Sequence, residues 1–265
     1  ILIAAYYHNN KMKIGVFIPC HLNSIRFPKK ILTKIYKIEM IEHVRRRALL
    51  SSIKETYIVT NSNIISNIVK AYSGKVLLSK KKHYDGSSRV EEVIRDLDYE
   101  KILLLQGDEP LIFPSYLDKL KSSPFFNNNT VLNLASKCNN DDLTNINIVK
   151  CIVNKKDDVI SLFRSKNKNS GINKNKIFKI LGTILYPKKV LLDLNKYPPN
   201  LNKKEKDLSI EQIKILKKGY KLKIVKVNKA TLSLNTPNDK IDIVKFINES
   251  KIQQKLLKKI GIQKI

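Results

Sequence analysis

The chain is poor in the residues that metal and covalent chemistries most often use. It has 3 cysteines in 265 residues: Cys20, Cys138 and Cys151. Their number is odd and their spacing matches no zinc pattern, so reduced thiols in a cytoplasmic protein are expected. The four histidines (His8, His21, His43 and His83) form no H-x-x-x-H pair, and zinc chemistry has no support. No apolar run approaches the roughly 20 residues that cross a bilayer, so stable membrane insertion is not expected. The opening "ILIAAYYHNNK" lacks both the basic start and the apolar centre of a signal peptide. It also lacks Met. The first is Met12, directly before the strand-like "KIGVFIP", and residues 1–11 read as a non-native or disordered extension.

Acids are scarce too. The 23 Asp and Glu face 51 Lys and Arg, and the formal charge is +28. Such a charge suits a nucleic-acid binder. The excess is mostly Lys, however, scattered along the chain among abundant Ile and Asn, as an AT-rich genome would give. A specific binder more often carries Arg clusters interleaved with aromatics. Arg45–Arg47 is the one Arg cluster, and it sits inside a helical pattern. No nucleic-acid partner is expected; anionic small substrates fit the charge equally well.

What is present is enough apolar residue, 42%, for one sizeable core. Short apolar runs alternate with helical periodicity. "IGVFIP" (14–19), "ETYIVTN" (55–61), "KVLLS" (75–79) and "KILLLQ" (101–106) read as strands. Between them, "EMIEHVRRRALLS", "SNIISNIVKAYSG" and "SSRVEEVIRDL" read as helices. This order predicts an α/β, doubly wound, mostly parallel sheet covered on both faces. Later, "NINIVKCIVN", "KIFKILGTILYP" and "KLKIVKV" read as strands, and "SIEQIKILKKG" and "PNDKIDIVKFINES" as helices. Residues 12–250 read as a single domain. Residues 251–265 read as a basic amphipathic tail, a solvated helix end rather than a membrane contact.

Ligands of an open parallel sheet sit at the carboxyl ends of its strands, and four such ends here are unusual. After the first strand, "IPCHLNSIRFPKKIL" offers Ser24, Arg26, Lys29 and Lys30. These suit a triphosphate, but the loop lacks the glycines of a P-loop or dinucleotide fingerprint, and a solvated basic loop fits as well. In "HYDGSSRV", Ser87, Ser88 and Arg89 open a helix, which suits either an N-cap or an anion site. "QGDEPLI" places Asp108 just past a buried strand, where a carboxylate is costly unless paired or metal-bound. Beside phosphates, Asp108 suits Mg²⁺. Glu109 reads only as part of the turn into Pro110. Asn235 and Thr236 stand at a strand-to-helix junction closed by Pro237.

Together and in this order, the four elements resemble the 3-deoxy-manno-octulosonate (Kdo) cytidylyltransferase family, from about Met12 to Ile247. "QGDEPLI" (106–112) is the most specific piece. Pro19, Ser24, Arg26, Pro28, Lys30 and Leu32 match the family's first loop, and Met40, Ile41, His43 and Val44 its "MIxHV". Gly86, Ser87 and Arg89 match "SGT-acid-R"; Asn147, Val149 and Lys150 match "NxVK". "SIEQIKIL" matches the helix bordering the sugar site, and "NTPND" matches "DTPED".

The resemblance implies a Rossmann-like fold of the nucleotide-diphospho-sugar transferase type, with a small sugar-binding and dimerisation insert at about 155–205. It also implies a cytoplasmic homodimer that makes a CMP-sugar from CTP and an acidic sugar. Pro19, Ser24, Arg26, Lys30, Ser87, Arg89 and Gln106 would hold the nucleotide. Arg26, Lys30 and Asp108 would be catalytic. Gln106, Lys166 and Glu211 would face the sugar acid, and Asp108 and Asn235 would bind Mg²⁺. The sugar's anomeric hydroxyl would attack the α-phosphorus of CTP, and pyrophosphate would leave. Departures from the family concentrate on the sugar side. "FSR" becomes "RSK" (164–166), and His-Leu-Gly becomes Ile180-Leu181-Gly182. In the nucleotide loop, His21 replaces Arg and Lys29 replaces Gly; Ser88 replaces the acid before Arg89. Asn235 replaces a magnesium carboxylate, which predicts weaker metal affinity. Two alternatives follow: a weakened relative that keeps the fold as a nucleotide-binding protein, or a synthetase for a sialic-acid-like sugar.

Overall fold

The computed structural model describes residues 12–24, 26–164, 176–196 and 203–262, with the backbone alone at 204, 205 and 207. Its strands, in chain order, are β1 (Ile14–Pro19), β2 (Lys34–Ile35), β3 (Ile38–Glu39), β4 (Thr56–Thr60), β5 (Lys75–Leu78), β6 (Lys101–Leu105), β7 (Thr130–Lys137), β8 (Lys150–Val153), β9 (Val159–Phe163), β10 (Ile177–Pro187) and β11 (Lys221–Val227). The main sheet runs β11-β7-β10-β6-β1-β4-β5. The expected parallel half is there: β1 pairs parallel with both β4 and β6, and β4 with β5.

Side chains alternate faces along a strand, and here both faces are covered. Val16, Ile18, Leu103 and Leu105 enter one core; Phe17, Ile102 and Leu104 enter the other. That is why β1 and β6 read as unbroken apolar runs. Helices Met40–Leu49 and Asn63–Ala71 cover the first face, and Gly86–Ile94 the second.

The second half departs from a simple parallel wind. β10 is antiparallel to both β6 and β7. β8 and β9 are joined by a short turn, so they pair antiparallel, and β8 pairs antiparallel with β10. Sequence periodicity marks no strand at Thr130–Lys137, because Asn133 and Ser136 interrupt it; both are buried. The dipeptide strands β2 and β3 are likewise too short to leave a periodic signal.

Much of the Arg and His content is structural. Arg45 and Arg46 pair with Glu42 at 2.7 and 3.0 Å. Arg47 is buried and donates to Gln253 Oε1 at 2.7 Å. His43 is buried with Nε2 2.7 Å from the Ile35 carbonyl, and burial pushes its imidazole down to about 4. Lys251–Lys259 forms a helix of its own, capped by Ser250. It inserts Leu257 into the core, and its Gln253 donates to the Leu111 carbonyl at 3.0 Å. No helix among the described residues is long and apolar enough to cross a membrane.

The loop after β1 closes through the Lys29 amide, which donates to the Leu22 carbonyl at 2.8 Å. Lys29 is left-handed, with φ 57°. A side chain there costs about 1–2 kcal/mol, whereas glycine's extra freedom when unfolded costs about 0.5–1 kcal/mol. Lys29→Gly should therefore stabilise the protein by about 0.5–1 kcal/mol, a melting rise of roughly 1–3 °C. A melting curve that falls instead would mean that the Lys29 side chain holds the loop by contacts of its own.

Candidate active site

The carboxyl ends of β1, β4 and β6 open into a cleft of about 940 Å³, bordered by Pro19, Ser24, Arg26, Gly86, Arg89 and Gln106. A smaller hollow of about 110 Å³ adjoins it, bordered by Pro19, Ser24, Lys30, Gln106 and Asp108. Most residues expected to hold the nucleotide thus meet in one place, although they come from the segments after β1, β5 and β6. His21 borders both hollows. Burial, with Arg89 and Lys30 close by, pushes its imidazole below the ordinary value.

At the end of β6 the Asp108 carboxylate is 2.6 Å from Lys30 Nζ, and the pair keeps some contact with solvent. The Asp108 carbonyl accepts the Leu234 N–H at 2.9 Å, which ties residue 108 to the segment carrying Asn235. Arg26 then spans two amides. Its Nη2 donates to Asn235 Oδ1 at 3.1 Å, and its Nη1 to Asn147 Oδ1 at 2.7 Å. Asp239 accepts the backbone N–H groups of Asn235 and Thr236 at 2.7 and 2.8 Å. The "NTPND" junction is thus a capped turn that presents Asn235 to the site. Arg26, Lys30, Asp108 and Asn235 form one polar cluster.

Glu109 has a larger role than the turn expected for it. It is buried, accepting Ser233 Oγ at 2.9 Å and Thr231 Oγ1 at 3.2 Å. Burial, and then the Asp108 charge beside it, push its carboxyl up to about 7. Gly182 makes room for it: a Cβ there would stand 2.7 Å from Glu109 Oε1 and 3.0 Å from Gln106 Cβ. The Gly182 carbonyl also accepts the Gln106 N–H at 2.8 Å. The sugar-side element 180–182 and "QGDE" are therefore one packed unit, joined where β10 shifts register between Ile180 and Ile184.

The Gly86–Ile94 helix forms another wall. Its cap is Asp85, whose Oδ1 accepts the Ser88 N–H at 2.8 Å. Ser87 is buried, and its N–H is taken at 2.6 Å by Glu211 Oε1. A residue expected on the nucleotide and one expected on the sugar thus meet each other directly. Burial and the Asp85 carboxylate push Glu211 up to about 7. Burial works against ionised Asp85 as well, but the ion pair with Lys214 holds its carboxyl below the ordinary value. Arg89 donates to Ser79 Oγ at 2.8 Å and Asn61 Oδ1 at 3.0 Å. Lys166 lies outside the described residues.

Two residues behind the site escape sequence reasoning. Asn133 is fully buried and donates to the Leu181 and Thr183 carbonyls at 2.9 and 3.2 Å. Gln212 donates to Asn133 Oδ1 at 3.1 Å. Together they hold the shifted part of β10 and the segment leading from Glu211. The only trace in the sequence is a polar amide inside an apolar run, which a buried strand tolerates only when its hydrogen bonds are met.

Comparison with known proteins agrees with this geometry. A family model described as cytidylyltransferase matches residues 16–222. The 3-deoxy-manno-octulosonate cytidylyltransferase of Fusobacterium nucleatum is 29% identical over 251 residues, covering 91% of this chain and 100% of that protein. The protein of the same name from Geotalea daltonii is 29% identical over 245 residues, covering 86% of this chain and 95% of that one. Among solved structures, a CMP:2-keto-3-deoxy-manno-octonic acid synthetase complexed with CTP superposes with a TM-score of 0.79 at 26% identity, covering 89% of this chain and 99% of that chain. A 4-diphosphocytidyl-2C-methyl-D-erythritol synthase from Anaerococcus prevotii shares the fold, with a TM-score of 0.60 at 13% identity over 89% of this chain and 99% of that chain. The matched span runs from β1 to the start of β11 and includes the cleft, and the chain belongs to the cytidylyltransferase family.

Proposed function

We propose that the protein transfers CMP from CTP to 3-deoxy-manno-octulosonate, releasing pyrophosphate. The observation that carries this reading is the polar cluster at the strand ends. Arg26 borders the cleft of about 940 Å³ and donates to Asn235, while Lys30 and Asp108 pair in the smaller hollow beside it, in a chain 29% identical to enzymes named for this reaction. Arg26 and Lys30 bind the triphosphate and neutralise charge as pyrophosphate departs. Gln106, Lys166 and Glu211 orient the sugar acid so that its anomeric hydroxyl faces the α-phosphorus, and much of the rate comes from that alignment. Glu211 and Glu109, both shifted toward the neutral form, limit the negative charge that the triphosphate meets.

The donor set fits Mg²⁺. Asp108 and Asn235 offer hard oxygen ligands on segments joined by the Leu234–Asp108 hydrogen bond, and Mg²⁺ typically takes one or two carboxylates and completes its shell with phosphates and water. When bound, Mg²⁺ supplies Lewis-acid charge neutralisation at the phosphates. Asn235 brings no charge, and it already accepts from Arg26. Asn235→Asp should therefore lower the Mg²⁺ concentration at half-maximal rate on the order of tenfold. Any new Arg26 ion pair at this exposed place offsets at most about 1 kcal/mol of that gain. A Mg²⁺ titration that does not move would remove Asn235 from the ligand set.

We further propose a cytoplasmic homodimer that uses residues from about 155 to 205. The support is the family resemblance, together with the position of β9 at the end of its strand path and Ile160 63% exposed on it.

The test is pyrophosphate release from CTP and Mg²⁺ with a panel of eight- and nine-carbon sugar acids. Release with Kdo is expected. Release only with a sialic-acid-like sugar would move the substrate, a reading that Ile180 in place of His favours. CTP binding without release from any sugar would make the chain a nucleotide-binding relative, the reading favoured by Asn235.

A further inference from the structure

We infer that Arg164 is a positioning residue, which locks the sugar-side segment 208–211 to the Asn147 turn that holds Arg26. The inference rests on the proposed function of the cleft and extends it to a residue behind the substrates. Arg164 follows directly on β9. Its Nε donates to the Leu208 carbonyl at 2.6 Å and its Nη2 to the Ser209 carbonyl at 3.2 Å. Its Nη1 donates to the Asn147 carbonyl at 2.9 Å and lies 3.4 Å from that of Ile146. One guanidinium thus satisfies carbonyls of two segments far apart in sequence. A planar fork with five donors can do this; a lysine ammonium, a single compact head, cannot reach the same set.

Each segment leads to a residue of the site. Asn147, whose carbonyl Arg164 holds, accepts from Arg26 through its side chain at 2.7 Å. On the other side Ser209 has φ 48°, a left-handed backbone that a non-glycine residue adopts only with support. Ile210, next in the chain, is buried, and Glu211 then reaches the Ser87 N–H at 2.6 Å. Arg164 therefore acts where the chain turns toward Glu211 and, by the same side chain, where Arg26 is braced. Burial and the nearby Arg26 charge both disfavour protonated Arg164. The carbonyl contacts explain why it stays.

The test compares Arg164→Met, Arg164→Lys and Arg164→Met with Ser209→Gly. It uses kcat and KM for Kdo, CTP affinity by calorimetry without sugar, and the melting temperature. Arg164→Met should lower kcat/KM for Kdo on the order of 100-fold, with a smaller loss of CTP affinity through the unbraced Arg26, while the melting temperature stays near that of wild type. Arg164→Lys should recover little. Ser209→Gly should restore part of the loss, because glycine makes the left-handed turn unaided. A melting temperature that falls together with turnover, with no recovery in the Ser209→Gly combination, would make Arg164 a general scaffold residue and overturn the inference, as would unchanged kinetics. If the wild type does not use Kdo, the substrate reading fails on its own. Amide exchange then decides: faster exchange confined to 145–149 and 208–213 in Arg164→Met supports the lock, and unchanged exchange overturns it.

Discussion

Asp108→Ala should cut turnover on the order of 10³-fold while leaving the fold intact. The two effects separate because of where Asp108 sits. Its partner is Lys30, and the two side chains are only 25% and 12% exposed, so removing the carboxylate leaves a largely buried cation and costs about 1–3 kcal/mol. The melting temperature should fall by no more than roughly 10 °C, with the native fold retained. CTP affinity should not collapse either, because the substitution frees Lys30 for the phosphates. The loss belongs in kcat, where the charge of Asp108 and whatever it coordinates are needed. Asp108→Asn keeps the shape and removes only the charge, and it should lose nearly as much. Pyrophosphate release, melting and CTP titration on the same preparations make the comparison. Near-normal turnover in either variant sinks the metal assignment.

Gly182→Ala should damage both stability and activity, by one added methyl group. That carbon would stand 2.7 Å from Glu109 Oε1 and 3.0 Å from Gln106 Cβ. Glu109 cannot swing aside freely: Ser233 and Thr231 hold its two oxygens in a buried place. Gln106 is tied to the Gly182 carbonyl itself. Overpacking of this kind costs about 1–3 kcal/mol. The displaced Gln106 should lower turnover on the order of 100-fold if it faces the sugar. Denaturant unfolding reads the first number and steady-state kinetics the second. Full stability in this variant would mean that the 106–109 and 180–182 elements are not the packed unit described above.

Local patterns in the sequence carried a good part of this. β1, β4 and β6 are legible because a strand buried on both faces must be mostly apolar, and β5, half-buried at the sheet's edge, because its short apolar run follows a helix. The helices between them are legible because each buries one stripe. The cleft's position followed from the strand order, since strand ends converge there. Asp108 stood out because a carboxylate beside a buried strand is expensive without a partner. Legibility fell where long-range hydrogen bonds decide. β7 carries the buried Asn133, whose bonding needs reach Leu181, Thr183 and Gln212, and no local window contains them. Glu109 looked like turn punctuation because Ser233, Thr231 and Gly182 are distant in sequence. Cap and ligand site remained open at Ser87 until Asp85 took the cap and Glu211 took the Ser87 amide.

By itself the sequence determined the layered α/β class, the parallel half of the sheet and the cast of cationic and acidic residues at its strand ends. Those depend on periodicity and burial, which act over a few residues. Tertiary structure alone decided which of that cast meet: Lys30 with Asp108, Arg26 with Asn235 and Asn147, Glu211 with Ser87, and Arg164 with carbonyls of two segments. Pairings of this kind are hydrogen bonds and charge contacts effective over about 3 Å. Only the folded chain brings their partners within that range.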